Sequence, residues 1–173
     1  NNILAGAPFK DIGATADVGE AWLFNGGTGA MILEIKNPTP VAGDEFGVSV
    51  AGVGNNRMAV AAPFNDSGAT DAGAAYLFKV PDLTPTYAAT PLFTFLNPTP
   101  TAGDNFGNVV AALGNNVLVG TPLDDTGATD AGSAYLFNGA TGALLLTINN
   151  PAPAAGDTFG FSVAAVGSNI LVG

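Results

Sequence analysis

One short segment occurs three times in the chain, and this repetition constrains the fold more than any other feature. Gly-Asp-X-Phe-Gly stands at 43–47, 103–107 and 156–160, each time before a run of small residues. A second marker, Asn-Asn or Ser-Asn, begins at positions 1, 55, 115 and 168. A repeated unit of this size buries its faces by stacking on its neighbours. The markers predict units at about 1–54, 55–114 and 115–167, with a fourth unit starting at 168–173.

Each unit is predicted to form four short antiparallel strands, here called A to D. Examples are 46–53 for strand A, 58–62 for strand B, 75–78 for strand C and 144–148 for strand D. Strand C alternates, which places its aromatic residues on one face: Trp22 with Phe24, Tyr76 with Phe78, and Tyr135 with Phe137. The small residues of strand A predict a close approach between units, and strand D is then the outer edge.

Four-stranded units of this length predict an all-β fold built from β-propeller blades, with a linear stack of β-units as the alternative. The proline-containing segments at 37–40, 97–100 and 150–153 cannot donate regularly to a β-ladder, so they are interpreted as connectors between blades. Propellers close with about four to eight blades. We therefore expect these roughly three units to be part of a larger propeller or tandem array, or to complete a ring by self-association.

The composition excludes several classes of function. The chain has 14 acidic residues against 4 basic ones, a net charge of −10, and this charge opposes binding to nucleic acid or anionic lipid. No apolar run approaches the roughly 18 residues of a membrane helix. Cys and His are both absent, so disulfides, thiolate metal sites and the commonest general base are absent too. These absences favour a protein that is not an enzyme.

Most acidic residues are predicted to lie at one end of the blades. In a meander, the B-to-C and D-to-A connections share an end, and these connections contain Asp11, Asp17, Asp44, Glu45, Asp66, Asp71, Asp104, Asp124, Asp125, Asp130 and Asp157. One interpretation is that each Asp caps its own turn. The other is a calcium site in the B-to-C loops, with Asp11, Asp17, Asp66, Asp71, Asp125 and Asp130 as the candidate ligands.

The middle unit has an insertion between strands C and D, at 79–91. Insertions in repeat proteins often carry individual functions, because loops are less constrained than the packed scaffold. Tyr87 is the candidate contact for a partner, and rigid spacing by the insertion's three prolines is the alternative.

The repeated motifs resemble the FG-GAP repeat family. The resemblance rests on Phe-Gly at 46, 106 and 159, on Ala-Pro or Thr-Pro at the end of strand B, and on the aromatic-Leu-Phe triplets that begin at 22, 76 and 135. It implies a propeller that works by binding. Calcium-binding members carry an Asp-rich loop between strands A and B, but here that loop is only Gly54-Asn55-Asn56 or an equivalent. Calcium is therefore not expected at that position, and no cofactor is required.

The primary expectation is a non-catalytic extracellular or cell-surface scaffold of bacterial type, for adhesion or macromolecular binding, with calcium as an optional ligand. The extracellular location follows from the resemblance. Its partner would be a protein, a glycan or a second copy of the chain. Two alternatives stay open: a self-assembling structural protein that forms a fibre or surface layer, and a carbohydrate-binding module. The chain is expected to be an excerpt from a longer tandem protein.

Overall fold

The computed structural model describes residues 2–80, 86–88 and 90–173, and side chains within 2–80 and 90–173. The described residues form strands and turns without a helix, which confirms the all-β prediction. The strands assemble into separate sheets, here called blades 1 to 4. No closed ring is formed by this part of the chain.

The blades follow one another along the chain. Blade 1 contains β1 (Asn2–Ala7), β2 (Glu20–Asn25), β3 (Met31–Lys36) and β7 (Thr86–Ala88). Blade 2 contains β4 (Val50–Val53), β5 (Arg57–Ala62), β6 (Ala74–Lys79) and β8 (Phe93–Leu96). Blade 3 contains β9 (Val109–Leu113), β10 (Asn116–Thr121), β11 (Ser133–Phe137) and β12 (Leu144–Asn149). Blade 4 contains β13 (Val163–Val166) and β14 (Asn169–Val172).

Blades 2 and 3 are the predicted four-stranded meanders. Each strand pairs antiparallel with the next in the order A, B, C, D, as the registers Val60 opposite Tyr76 and Val119 opposite Tyr135 illustrate. The predicted start of strand A was wrong. β4 begins at Val50 rather than Phe46, because residues 46–49 form the turn that contacts the preceding blade.

The prediction that strand D is always the outer edge was wrong for blade 1. There β7, which comes from the insertion of the middle unit, pairs in parallel with β3, and Tyr87 lies opposite Glu34 in the register. The insertion thus connects two blades through main-chain pairing. The side chain of Tyr87 lies outside the described residues, so its role as a partner contact stays a prediction.

The core lies between adjacent blades. Leu33 and Ile35 of blade 1 pack with Phe46, Val60 and Tyr76 of blade 2 in one buried cluster. A second cluster joins blades 2 and 3 through residues that include Leu77, Phe95, Val119, Tyr135 and Phe137. Burying one such large apolar side chain stabilises a fold by about 1.5–3 kcal/mol. Stacking of blades therefore supplies much of the stability, as the repeat pattern requires.

The predicted alternation of strand C is confirmed in these clusters. Tyr76 and Phe78 share one cluster, and Tyr135 and Phe137 share the other. Trp22, the equivalent residue of blade 1, is only half-buried. The innermost strands also meet as their small residues predict, since β4 contacts β9 and β9 contacts β13.

Candidate functional site

The Gly-Asp-X-Phe-Gly segment of each unit docks on the B-to-C loop of the preceding blade. The Phe N–H donates to a carbonyl of that loop in all three copies: Phe46 to Val18 at 3.1 Å, Phe106 to Ala72 at 3.0 Å and Phe159 to Ala131 at 3.0 Å. The residue before each Phe donates in the same way, to Asp17, Asp71 or Asp130. The D-to-A and B-to-C loops therefore lie together at one end of the stack, which we call the acidic rim.

Each B-to-C loop contains a pair of aspartates. An Oδ1 atom of the first accepts a hydrogen bond from the main-chain N–H of the second, at 3.0 Å for Asp11 and Asp17, 3.0 Å for Asp66 and Asp71, and 2.9 Å for Asp125 and Asp130. The second Asp has a φ of 52° in every copy, a left-handed conformation that Asp tolerates well. The first Asp thus caps its loop, and it is an exposed residue in every copy.

A second set of acids is attached to the proline-containing connectors. The Asn that opens the connector donates through Nδ2 to Oδ2 of the Asp seven residues later, at 2.7 Å for Asn37 and Asp44, 2.6 Å for Asn97 and Asp104, and 2.9 Å for Asn150 and Asp157. The same Oδ2 also accepts a main-chain N–H, from Val41, Thr101 or Ala154. The connector is therefore fixed by one repeated carboxylate.

The other oxygen of this carboxylate, Oδ1, has different hydrogen bonding in blades 2 and 3. In blade 2, Asn65 Nδ2 donates to Oδ1 of Asp44 at 3.3 Å. The equivalent residue in blade 3 is Asp124, whose side chain has no N–H group to donate. Oδ1 of Asp104 therefore has no hydrogen-bond partner. Asp124 itself accepts four hydrogen bonds, from Thr126 N–H at 2.9 Å, Ser133 Oγ at 3.2 Å, Tyr135 Oη at 2.7 Å and Thr99 Oγ1 at 3.3 Å.

The electrostatics of the acidic rim follow from this geometry. Burial is the main cause that raises the pKa of Asp104 to about 6. The negative charges of Asp124 and Asp125 also raise this pKa, whereas the hydrogen bonds from Thr101 and Asn97 lower it. Burial likewise raises the pKa of Asp44. The pKa of Glu45 is raised by burial and then by the charge of Asp17 in the neighbouring blade. Carboxylates at these joints are thus held closer to neutrality than ordinary surface carboxylates.

Comparison with known families identifies the repeat. The sequence model of the FG-GAP repeat family matches residues 40–78 and 100–137. Each match spans a Gly-Asp-X-Phe-Gly segment and the following strands A to C. These two stretches of the chain are FG-GAP repeats. A comparison with curated protein sequences found no match.

FG-GAP repeats suggest a β-propeller repeat domain of the kind that often occurs in adhesion and binding proteins, and they are generally non-catalytic scaffolds. They are typical of extracellular proteins. Within the residues that the structure describes, no helix has the length and apolar character needed to cross a membrane. The Phe-Gly pairs for which the repeat is named lie at the joints between blades, where they serve packing and main-chain hydrogen bonding.

The candidate calcium ligands come together as pairs within their own B-to-C loops. Among the described residues, no group of three or more Asp, Glu, His or Cys is arranged to hold a metal ion. The capping hydrogen bonds that Asp11, Asp66 and Asp125 accept agree with the turn interpretation. Calcium at these six residues stays a prediction.

The Asn–Asp links of the connectors were missed in the sequence, where the connectors were interpreted only through their prolines. The signal was present, because Asn stands seven residues before Asp at 37, 97 and 150. An Asn side chain that recurs at a fixed distance from an Asp offers an amide donor to a carboxylate. The sequence also displays Asn65 in blade 2 and Asp124 at the equivalent position of blade 3. The effect of this difference on Asp44 and Asp104 depends on which side chains come into contact in the folded chain.

Outside the acidic rim, a groove of about 350 Å³ lies between blades 1 and 2, with Leu4, Leu23, Val50 and Met58 in its lining. Arg57 is the one charged residue among its described lining residues. The guanidinium already donates to the carbonyls of Gly54 and Gly139. The described lining thus mixes apolar side chains with Asn2, Asn56 and Arg57, and it contains no carboxylate.

The raised pKa of Asp104 predicts an unusual dependence of stability on pH. Because the folded value of about 6 exceeds the value of 3.8 for an unperturbed group, the stability contributed by this group is fully present below pH 3.8 and is lost as the pH rises to about 6. The loss should reach at most about 3 kcal/mol. Urea unfolding across this range, with a chelator present, measures it.

The variant Asp104→Asn is the control for this pH effect, because the amide keeps an oxygen for the connector and cannot ionise. The difference in unfolding free energy between the original chain and the variant should change between about pH 4 and pH 6 and stay level above. Parallel curves for the two proteins across that range would show that Asp104 does not titrate as described.

Proposed function

We propose that this chain is a non-catalytic binding scaffold that acts outside the cell, and that its acidic rim is the surface that meets a partner. The observation that carries the proposal is the hydrogen-bonded assembly of D-to-A and B-to-C loops at one end of the stacked blades. These loops contain eleven of the 14 acidic residues, of which Asp44, Asp104 and Asp124 are buried and the other eight are exposed or half-buried. Lys10 is the one basic residue in those loops. A surface of one sign attracts partners of the opposite sign and speeds their association.

A partner with a basic surface fits this rim best. Complementary charge provides specificity and a high association rate, and its effect weakens as salt is added. The rigid presentation of the loops supports the same function, since ordering them on binding costs little when main-chain hydrogen bonds already hold them. Absence of His and Cys from the sequence, together with acids distributed by the repeat, supports binding rather than catalysis.

Calcium at the B-to-C loops is part of the proposal as an optional ligand. Each loop presents an exposed and a half-buried carboxylate close together, as in Asp66 and Asp71. A hard cation with oxygen ligands would relieve the repulsion between them. Binding to partners should therefore be measured with added calcium and with a chelator.

The test compares the original chain with the triple variant Asp11→Asn, Asp66→Asn and Asp125→Asn on an array of basic, neutral and acidic proteins and glycans. Each amide oxygen keeps the capping hydrogen bond, so the variant removes three rim charges without removing the caps. The control Glu34→Gln removes a charge from β3, outside the rim. We expect binding to basic members that weakens with salt and with the triple variant alone. Binding unrelated to partner charge, or unaffected by the triple variant, would contradict the proposal.

A further inference from the structure

Two buried oxygen atoms in blade 3 have no hydrogen-bond partner. They are Oδ1 of Asp104 and Oγ1 of Thr121, in residues that are 1% and 0% exposed, and they are the unpartnered buried side-chain atoms within the part of the chain that the structure describes. A buried polar atom without a partner costs about 1–3 kcal/mol. Such atoms call for an explanation, and two in one blade call for a shared one.

Three residues distinguish this region of blade 3 from the same region of blade 2. Thr121, Asp124 and Ser133 stand where blade 2 has Ala62, Asn65 and Ala74. Every one of these differences adds an oxygen atom or a negative charge. In blade 2 the amide of Asn65 satisfies Asp44, and the two alanines present only methyl groups.

The added oxygen atoms lie on one face of blade 3. Thr121 is directly opposite Ser133 in the pairing of β10 with β11, so their side chains project from the same side. Ser133 Oγ contacts Oδ1 of Asp124 at 3.2 Å. Asp104 is joined to the same cluster through the connector, since Asn97 Nδ2 donates to Oδ2 of Asp104 at 2.6 Å and Thr99 Oγ1 contacts both Oδ1 of Asn97 at 3.5 Å and Oδ2 of Asp124 at 3.3 Å. Asp104, Thr121, Asp124 and Ser133 are each at most 1% exposed.

The chemistry of this cluster matches a hard cation. Two buried carboxylates have a combined charge of −2 when ionised, and burial of like charges is strongly unfavourable unless a positive charge compensates. Carboxylate and hydroxyl oxygens are the ligands that Ca²⁺ takes, with water or main-chain oxygens completing its coordination. In blade 2 an Asn side chain donates to the corresponding Oδ1 atom of Asp44. Blade 3 has Asp124 at that position, so Oδ1 of Asp104 receives no such hydrogen bond.

We propose that blade 3 holds a divalent cation of the calcium type between Asp104 and Asp124, with Thr121 and Ser133 as neutral oxygen ligands. This site differs from the six loop aspartates of the acidic rim, and it lies inside the joint with blade 2. Its role is to fasten the blade by neutralising the two carboxylates. Blade 2 has no equivalent site, because Asn65 already provides the missing hydrogen bond.

The test uses the triple variant Thr121→Ala, Asp124→Asn and Ser133→Ala, which gives blade 3 the residues that blade 2 tolerates at the same positions. Calcium chloride is titrated into the chelator-treated chain by calorimetry, and thermal unfolding is followed with and without calcium. We expect the titration of the original chain to include one site that the triple variant lacks, and a rise in melting temperature of about 5–10 °C when free calcium exceeds the dissociation constant of that site about 100-fold. The triple variant should show neither effect at this site.

A second probe is Tb³⁺, which replaces Ca²⁺ and emits when a nearby tyrosine is excited. The hydroxyl of Tyr135 lies 2.7 Å from Asp124, so sensitised emission is expected from the original chain and from Asp11→Asn, Asp66→Asn and Asp125→Asn, but not from the blade 3 variant. Emission lost only in the loop variant would place the cation on the acidic rim instead. Absence of calcium binding and of Tb³⁺ emission in the original chain would overturn the proposal, while leaving partner binding by the rim to its own test.

Discussion

Replacement of Gly73 by alanine is expected to destabilise the chain by about 3 kcal/mol or more, because a Cβ at this position has no room. Gly73 has a φ of +87°, and an added Cβ would overlap the carbonyl oxygen of Phe106 and lie 2.6 Å from its nitrogen. Phe106 stands just before the first strand of blade 3, and its main-chain N–H already donates to the carbonyl of Ala72. The substitution would therefore push blades 2 and 3 apart at their main-chain joint.

Gly103 provides a matched control for this prediction. Its φ is +88°, yet a Cβ there would meet nothing within 4 Å. Gly103→Ala should thus carry only the conformational cost of a left-handed alanine, about 1–2 kcal/mol. Urea unfolding of both variants separates backbone strain from steric overlap between blades. Equal destabilisation by the two substitutions would argue against close contact of the blades at Gly73.

Replacement of Phe106 by alanine is expected to cost about 3–5 kcal/mol, since it removes a large ring from the joint between blades 2 and 3. Phe106 is 0% exposed, and its ring centroid lies 5.9 Å from those of Tyr135 and Phe137. The backbone there is held by main-chain hydrogen bonds, so the surrounding residues cannot fully collapse into the space.

The control for Phe106→Ala is Phe161→Ala. Phe161 lies two residues after the Phe of the third Phe-Gly pair and is 64% exposed. Its replacement should change the free energy of unfolding by less than about 0.5 kcal/mol. Thermal or urea unfolding measures both. A small effect at Phe106, comparable to that at Phe161, would mean that the Phe-Gly pairs are not packed between blades.

Repetition made most of the fold predictable. Alternation in strand C predicted that Tyr76 and Phe78 share a face, and the repeated order of turn residues along the chain predicted the antiparallel meanders of blades 2 and 3. These features depend on period and turn chemistry, which a sequence displays directly. The start of strand A was misplaced at Phe46, because an apolar residue beside glycine can either enter a strand or fill a joint.

Contacts between units were less predictable, because they depend on three-dimensional placement. The parallel pairing of β7 with β3 joins segments about 50 residues apart, and nothing local in either segment specifies it. The unsatisfied Asp104 Oδ1 likewise results from the residue at position 124, which reaches it only through folding. The sequence displays the residue types at positions 104 and 124, but it does not display their proximity in the folded chain.

Each Gly-Asp-X-Phe-Gly segment joins its blade to the preceding one through main-chain hydrogen bonds. Hydrogen exchange of the amides of Phe46 and Phe106, with exposed Gly13 as reference, tests this most directly. Both Phe amides should exchange at least about 1,000-fold more slowly than an unstructured peptide, and together, since opening the joint requires separation of blades. Exchange of either amide at nearly the rate of Gly13 would contradict the account.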